Sequence, residues 1–316
     1  MPKALNRMKK AEMSASVVAF SGGSNWPIWV GQQQGFFAAH RLQVNLEFTP
    51  NSVEMVKNMM AGRYQLAMTA IDNLVAYQEG QGEIALAQNP DFFAFMGCDS
   101  GFLSVMADPD VSDIGCLRDK EVSVDAMTTG FAFVLREILA RNGIGENELT
   151  FIPVGGGAQR LKALQERRQA ATLLNTPLDL IAEDSGARRL LWAEAVIGPY
   201  QGVAGIARES WAATNGEVII AYLRGYRDSV AWLYDRDNHA AALDLLVAKV
   251  HGMNPALAAK TYDVLLADTG GLSRDLSVDP EGMRTVLNLR SKFGLPKKAL
   301  TDWNRYLDLR YHAQAF

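Results

Sequence analysis

EVSVDAMTTGFAFVLREILARNG, residues 121 to 143, carries the unit on which the fold rests. EVSVD has the length and branching of a buried strand, and AMTTG is a turn of small and polar residues. FAFVLREILARNG has the apolar spacing of an amphipathic helix and stops at Gly143, a residue suited to end it. The same strand, turn and helix recur on either side. Upstream stand SVVAF with SGGSNW and a helix from about 27 to 39, then QLAMTA with Ile71-Asp72-Asn73 and LVAYQEG. Downstream stand FIPVGGGAQRLKAL, residues 151 to 164, and AATLL with Asn175-Thr176 before Pro177, which the pattern places at the first position of a short helix. Strands alternating with helices predict crossover units and a mainly parallel sheet covered on both faces.

That architecture says where a ligand belongs. In open α/β sheets the carboxyl ends of strands meet the amino ends of helices, and a small anion or polar heterocycle placed there meets unpaired N–H groups. The three glycines at 155 to 157 resemble a phosphate cradle, but the nucleotide motifs fail. A P-loop needs Gly-Lys-Ser/Thr where Arg160-Leu161-Lys162 stands, and a dinucleotide fingerprint needs glycine at Arg160. The run is read as a strand-to-helix turn that lets the backbone approach a cleft, the alternative being a tight turn packed on its neighbours.

VAGIAR, residues 203 to 208, is one more strand, and from Ser210 onward the chain is almost wholly helical, with helix starts expected at Asp237, Asn254-Pro255 and Asp279-Pro280. The 316 residues suffice for two domains, with 48% hydrophobic and 21% charged residues. Thirty-one Lys and Arg stand against 35 Asp and Glu without a like-charge block, which argues against a nucleic-acid partner. The one basic cluster is MPKALNRMKK, and no uninterrupted apolar run follows it that would serve as a signal-peptide core or membrane span. Cys98 and Cys116 show no CxxC spacing and read as buried free thiols rather than a disulfide or metal ligands. The four histidines are scattered at no ligand-like spacing and read as surface or packing residues.

Four segments carry a family resemblance. IWVGQQQGFFAAHRLQVNLEF (28 to 48), NMMAGRYQLAMTAIDN (58 to 73), CLRDKEVSVDAMTTGFAF (116 to 133) and WAATNGEVIIAYLRGYRDSVAWLYDRDNHAAALDLL (211 to 246) stand in the order of the signatures of type II solute-binding proteins of ABC importers. The resemblance is to the branch that binds sulfonates, taurine, nitrate and pyrimidine precursors. Arg41 and Asp119 stand where that family usually has glycine, and Gln65 where it has Asp. The resemblance implies two Rossmann-like α/β lobes joined by two crossover strands, near 95 to 105 and 196 to 206, with a ligand cleft between them. Lobe one is then 16 to 97 with 203 to 316, and lobe two 98 to 202. It further implies an exported, periplasmic monomer that captures a small organic anion and delivers it to an ABC permease and ATPase by hinged closure, with no cofactor and no metal. The absent leader is then attributed to a start downstream of it.

The cleft residues follow from the strand ends and the resemblance together. In lobe one they are Ser21, Gly22, Ser24, Asn25, Trp26, Thr69 and Asp72; in lobe two, Met127, Thr128, Thr129, Gly130, Phe131, Gly156 and Asn175. Trp26 either walls the cleft and stacks on a planar ligand or staples the helix that follows it. Ser24 and Asn25 are read chiefly as caps, and Thr128 and Thr129 as hydroxyls facing an acid oxygen. Asp72 is read as a cap of its own helix, since a bare carboxylate repels an anion, and Arg160 as a solvated helix arginine. The competing function is a biosynthetic enzyme of the same fold acting on a pyrimidine or menaquinone precursor, against which stands the lack of a base beside any nucleophile. A regulator's sensor domain is a third reading, but the short segment before the first strand leaves no room for a DNA-binding helix-turn-helix.

Overall fold

The computed structural model describes residues 12–316, so the basic run at 1 to 10 lies outside the described residues. The strands are β1 (Met13–Ala19), β2 (Leu42–Phe48), β3 (Leu66–Ala70), β4 (Phe92–Gly97), β5 (Leu103–Ala107), β6 (Glu121–Val124), β7 (Thr150–Pro153), β8 (Ala171–Asn175), β9 (Arg188–Trp192) and β10 (Val203–Arg208). Helices α1 to α4 are Trp26–Gln33, Phe36–Ala39, Ser52–Met60 and Ile71–Gln78, and α5 to α8 are Gly130–Arg141, Gly157–Gln165, Leu178–Asp184 and Glu194–Ile197. The C-terminal α9 to α13 are Glu209–Tyr234, His239–Lys249, Pro255–Leu265, Pro280–Phe293 and Arg310–Ala315.

The strands form two five-stranded sheets, ordered β2-β1-β3-β10-β4 and β7-β6-β8-β5-β9. The expectation of parallel pairing holds for β1 with β2 and β3, and for β6 with β7 and β8. It fails at one strand per sheet, because β10 runs antiparallel to β3 and β4 and β5 antiparallel to β8 and β9. Both are entered from the other sheet, β5 through residues 98–102 and β10 through the four-residue α8 and residues 198–202. Neither is delivered by the crossover helix that keeps neighbouring strands parallel.

Several local expectations change for physical reasons. The helix predicted over 27 to 39 is two, because Gly35 takes φ 76° and breaks it between α1 and α2. Pro177 precedes α7 instead of opening it, and the Thr176–Pro177 bond is cis. Asn254 and Asp279 do cap, accepting from Leu257 N at 2.9 Å and Glu281 N at 3.0 Å. At the third start it is Asp235 that accepts from Asp237 N, at 3.1 Å, and α10 begins two residues later. Arg41 and Asp119, where the resemblance led glycine to be expected, both take φ 60°. Cys98 is buried but Cys116 is exposed, and both are free thiols.

The helical C-terminal part packs on both sheet layers. Tyr222 of α9 stacks on Phe37 at 5.4 Å against the first sheet. α12 lies between α4 and α5, where Lys292 Nζ meets Glu137 Oε2 at 2.6 Å and Phe293 packs on Phe133 at 5.7 Å. α11 packs on α7, and Trp26, Leu178, Leu257 and Leu265 share one apolar cluster.

Candidate functional site

The turns after β1, β2 and β3 of the first sheet face those after β6, β7 and β8 of the second across one cleft of about 850 Å³, counting its open mouth. Phe20, Ser21 and Ser24 follow β1; Pro50, Asn51 and Ser52 follow β2; Asp72 and Asn73 follow β3. Opposite them stand Asp125, Thr129 and Gly130 after β6, the glycines 155 to 157 and Arg160 after β7, and Asn175 at the end of β8. Parallel strands make this arrangement, since each returns its carboxyl end to the same edge.

Arg160 is the decisive charge. It lies in the first turn of α6 and is only 3% exposed. Its Nε donates to Gly155 O at 3.1 Å and its Nη1 to Leu173 O. No ion pair to it exists among the described residues, and Nη2 has no partner there. Burial draws its pKa down, against the opposing pull of Asp125. A buried guanidinium with one edge free in a cleft is an acceptor of anions, because an acid oxygen there meets both charge and donor. The Asn175 amide also has no hydrogen bond among the described residues.

One acid of the cleft is neutralised by a buried arginine. Asp72 is 2% exposed, and its Oδ1 accepts from Arg290 Nε at 2.5 Å while Oδ2 accepts from Nη2 of the same arginine, itself 0% exposed. Arg290 comes from α12 and also lies over the Phe133 ring at 4.7 Å. Asp125 Oδ1 accepts from Thr129 Oγ1 at 2.6 Å, and the same Thr129 oxygen caps α5 by accepting from Ala132 N at 3.3 Å. Glu83 stands exposed at the rim.

Residues 24–240 match the family model described as NMT1/THI5 like. The chain belongs to that family. No protein with a curated description matches it by sequence. Among solved structures it is similar to the alkanesulfonate-binding protein SsuA from Xanthomonas axonopodis pv. citri bound to MOPS, at 16% identity and TM-score 0.71, over 93% of this chain and 96% of that one. It is similar to the periplasmic nitrate-binding protein NrtA from Synechocystis PCC 6803, at 13% identity and TM-score 0.73, over 97% and 86%. It is similar as well to the desulfurization enzyme DSZB, at 10% identity and TM-score 0.65, over 95% and 98%. Such identities speak for the fold, which is the two-lobed α/β arrangement of periplasmic binding proteins.

On this NMT1/THI5-like scaffold the residues expected from sequence separate into two groups. Ser21, Ser24, Thr69, Asp72, Thr129, Gly130, Phe131, Gly156 and Asn175 line the cleft. Gly22, Asn25, Trp26, Met127 and Thr128 do not. Trp26 is 0% exposed and meets Tyr262 edge-on at 5.9 Å, so it is core and not a wall. Asn25 is turned inward, with Nδ2 donating to Phe20 O at 2.6 Å. Met127 is exposed, and Thr128 Oγ1 is buried without a partner. Asp72 pairs with Arg290 and makes no cap, and Arg160 is not solvated. The sequence patterns did not single out Asp125 or the turn at 50 to 52, although both stand at carboxyl ends of strands. Arg160 carried its own signal: with Ala163 and Leu164 it falls on the inward stripe of α6.

Gly130 makes the two sides meet. A Cβ there would lie 2.3 Å from Asp72 Cγ, while one at Gly156 would lie 3.2 Å from Pro50 O. Gly130→Ala is expected to cost about 1 to 3 kcal/mol through overpacking, and Gly156→Ala less. Urea midpoints of the two variants test the order, and equal midpoints would show that the Asp72 contact gives way freely.

Proposed function

We propose that this protein is an extracytoplasmic solute-binding component of an ABC importer that captures a small organic anion, a sulfonate or an aliphatic or aromatic acid. Its lobes, 16 to 97 with 203 to 316 and 98 to 202, close on the ligand and present it to a permease powered by an ATPase. The observation that supports this reading is Arg160: buried, without a counter-ion, and facing a cleft whose Asp72 is already matched by Arg290. Phe20, Met68 and Phe131 supply an apolar flank for the body of an acid. The protein acts as a monomer and needs no cofactor.

Against the enzymatic reading stands the chemistry of the cleft. Its ionisable side chains are Asp72, Asp125, Glu83 and Arg160, and among the described residues no histidine or cysteine lines it. The one hydroxyl beside a carboxylate there, among the described residues, is Thr129, and its oxygen already accepts from Ala132 N as the cap of α5, with no histidine to carry a proton away.

The test is a thermal-shift panel of sulfonates, aromatic acids, nitrate and pyrimidines. A ligand at a hundred times its Kd adds about 2.7 kcal/mol of stability. The acid that shifts the wild-type chain is expected to bind about 10- to 100-fold more weakly to Arg160→Gln, the loss of one charge-assisted contact. An acid that binds both proteins alike would remove Arg160 from the site, and turnover of a candidate without any binding shift would favour the enzyme.

A further inference from the structure

We propose that the ligand is a zwitterion, whose acidic group sits on Arg160 and whose protonated amine sits on Asp125. This rests on the reading of the Arg160 cleft as an acid-binding site and narrows it.

The inference comes from a charge that the acid reading leaves unexplained. Asp125 lines the same cleft as Arg160, following β6 where Arg160 follows β7. Its Oδ1 is engaged by Thr129 Oγ1 at 2.6 Å, but Oδ2 has no hydrogen bond and no ion pair among the described residues. Asp125 and Arg160 feel each other's charge, yet no ion pair joins them. Two opposite charges that share a cavity without closing on each other form a receptor with two poles.

A plain anion on Arg160 would share the cleft with the open carboxylate oxygen of Asp125, and like charges in one cavity oppose binding. The structure neutralises its other cleft acid, Asp72, with Arg290, and supplies Asp125 with nothing comparable. An ammonium group completes that position, donating to Oδ2 while the acid accepts from Nη2. The unpaired carboxylate then also acts as a filter, rejecting acids that lack the amine. The glycines at 155 to 157 and the Asn175 amide lie on the same side of the cleft, free to follow the short chain between the two groups.

The experiment compares matched probes by calorimetry: propanoate with 3-aminopropanoate, ethanesulfonate with 2-aminoethanesulfonate, and benzoate with 4-(aminomethyl)benzoate. Wild-type protein is expected to bind at least one amino member about tenfold or more tighter than its plain partner. Asp125→Asn is expected to erase that ratio by weakening the amino member and leaving or improving the plain acid. Arg160→Gln is expected to weaken both. If plain acids bind the wild-type chain as tightly as their amino partners, the zwitterion proposal is overturned and the acid site stands. It is overturned in the same way if Asp125→Asn folds and leaves the ratio unchanged. If Arg160→Gln binds every probe like wild type, or if no probe binds the wild-type chain, the acid site and the zwitterion proposal fall together. The wild-type ratio needs no variant, so a misfolded Asp125→Asn does not protect the proposal.

Discussion

Arg290→Met is expected to lower the unfolding free energy by about 3 to 5 kcal/mol, the cost of leaving a buried charge without its partner. The partner is Asp72, 2% exposed and 218 residues away along the chain. Removing Arg290 leaves that carboxylate facing an apolar layer that includes Phe133, whose ring now carries the guanidinium at 4.7 Å. The Arg290 Nη1 contact to Gln81 O, at 3.3 Å, is lost too. Asp72→Asn alone strands the arginine in the same way. The double variant Asp72→Asn with Arg290→Met removes both charges and is expected to recover most of the loss, since a buried pair contributes little beyond mutual neutralisation. Urea unfolding of the two singles and the double closes the cycle. A single variant that costs less than about 1 kcal/mol would mean that water reaches Asp72 and the pair is not the counter-charge of the cleft. The same variants bear on binding: Arg290→Met leaves an uncompensated negative charge in the cleft, so acid binding should fall in the single variant and return in the double.

The pair also marks the limit of what the sequence made legible. Strands such as SVVAF and AATLL were legible because strands covered on both faces read as continuous apolar runs, and the turns after them pointed to the cleft. β9, with Arg188 and Arg189 at an edge, gave no such signal. Asn254 and Asp279 announced their helices because capping is a local event. Asp72 was misread for the opposite reason: nothing within its own turn shows that an arginine from α12 will arrive. Trp26 fails similarly, because an aromatic after a glycine-rich turn looks the same whether it faces a cleft or Tyr262 of α11. Arg41 and Asp119 show a subtler limit. The resemblance led glycine to be expected at both, and the backbone there does take φ 60°, the left-handed conformation glycine favours, with Arg and Asp side chains in its place.

Asp99→Asn is expected to abolish a pH dependence of stability worth about 3 kcal/mol. Asp99 lies in the first crossing between the sheets and fastens it to the second. Its Oδ1 accepts from Gly101 N at 2.8 Å and from Val203 N at 2.9 Å, while its backbone O accepts from Gly202 N at 2.8 Å. The fit is close enough that a Cβ on Gly202 would lie 2.2 Å from Asp99 Oδ1. Burial pushes the carboxyl from its ordinary 3.8 up to about 6, against the two N–H donors, which favour the charged form. Because the folded value is the higher one, the folded chain holds the proton more tightly than the unfolded chain between about pH 4 and 6. The stabilisation is therefore complete below about pH 4 and is lost as pH rises through 6, so above pH 7 the ionised Asp99 costs the fold about 3 kcal/mol. Asparagine keeps an oxygen for the same two N–H groups and cannot ionise. Its extra amide hydrogens add a penalty, but one that does not change with pH. The gap between variant and wild type should thus shift by about 2.5 kcal/mol in favour of the variant between pH 4 and pH 8, whatever its absolute size, the rest of the roughly 3 kcal/mol falling below pH 4. Urea denaturation at pH 4, 5, 6 and 8 reads that gap directly. The acids with lowered values, Asp91 and Asp108 among them, contribute equally to both proteins and cancel. Parallel stability curves across that range would mean that Asp99 is already ionised at pH 4 and that the two N–H donors outweigh its burial.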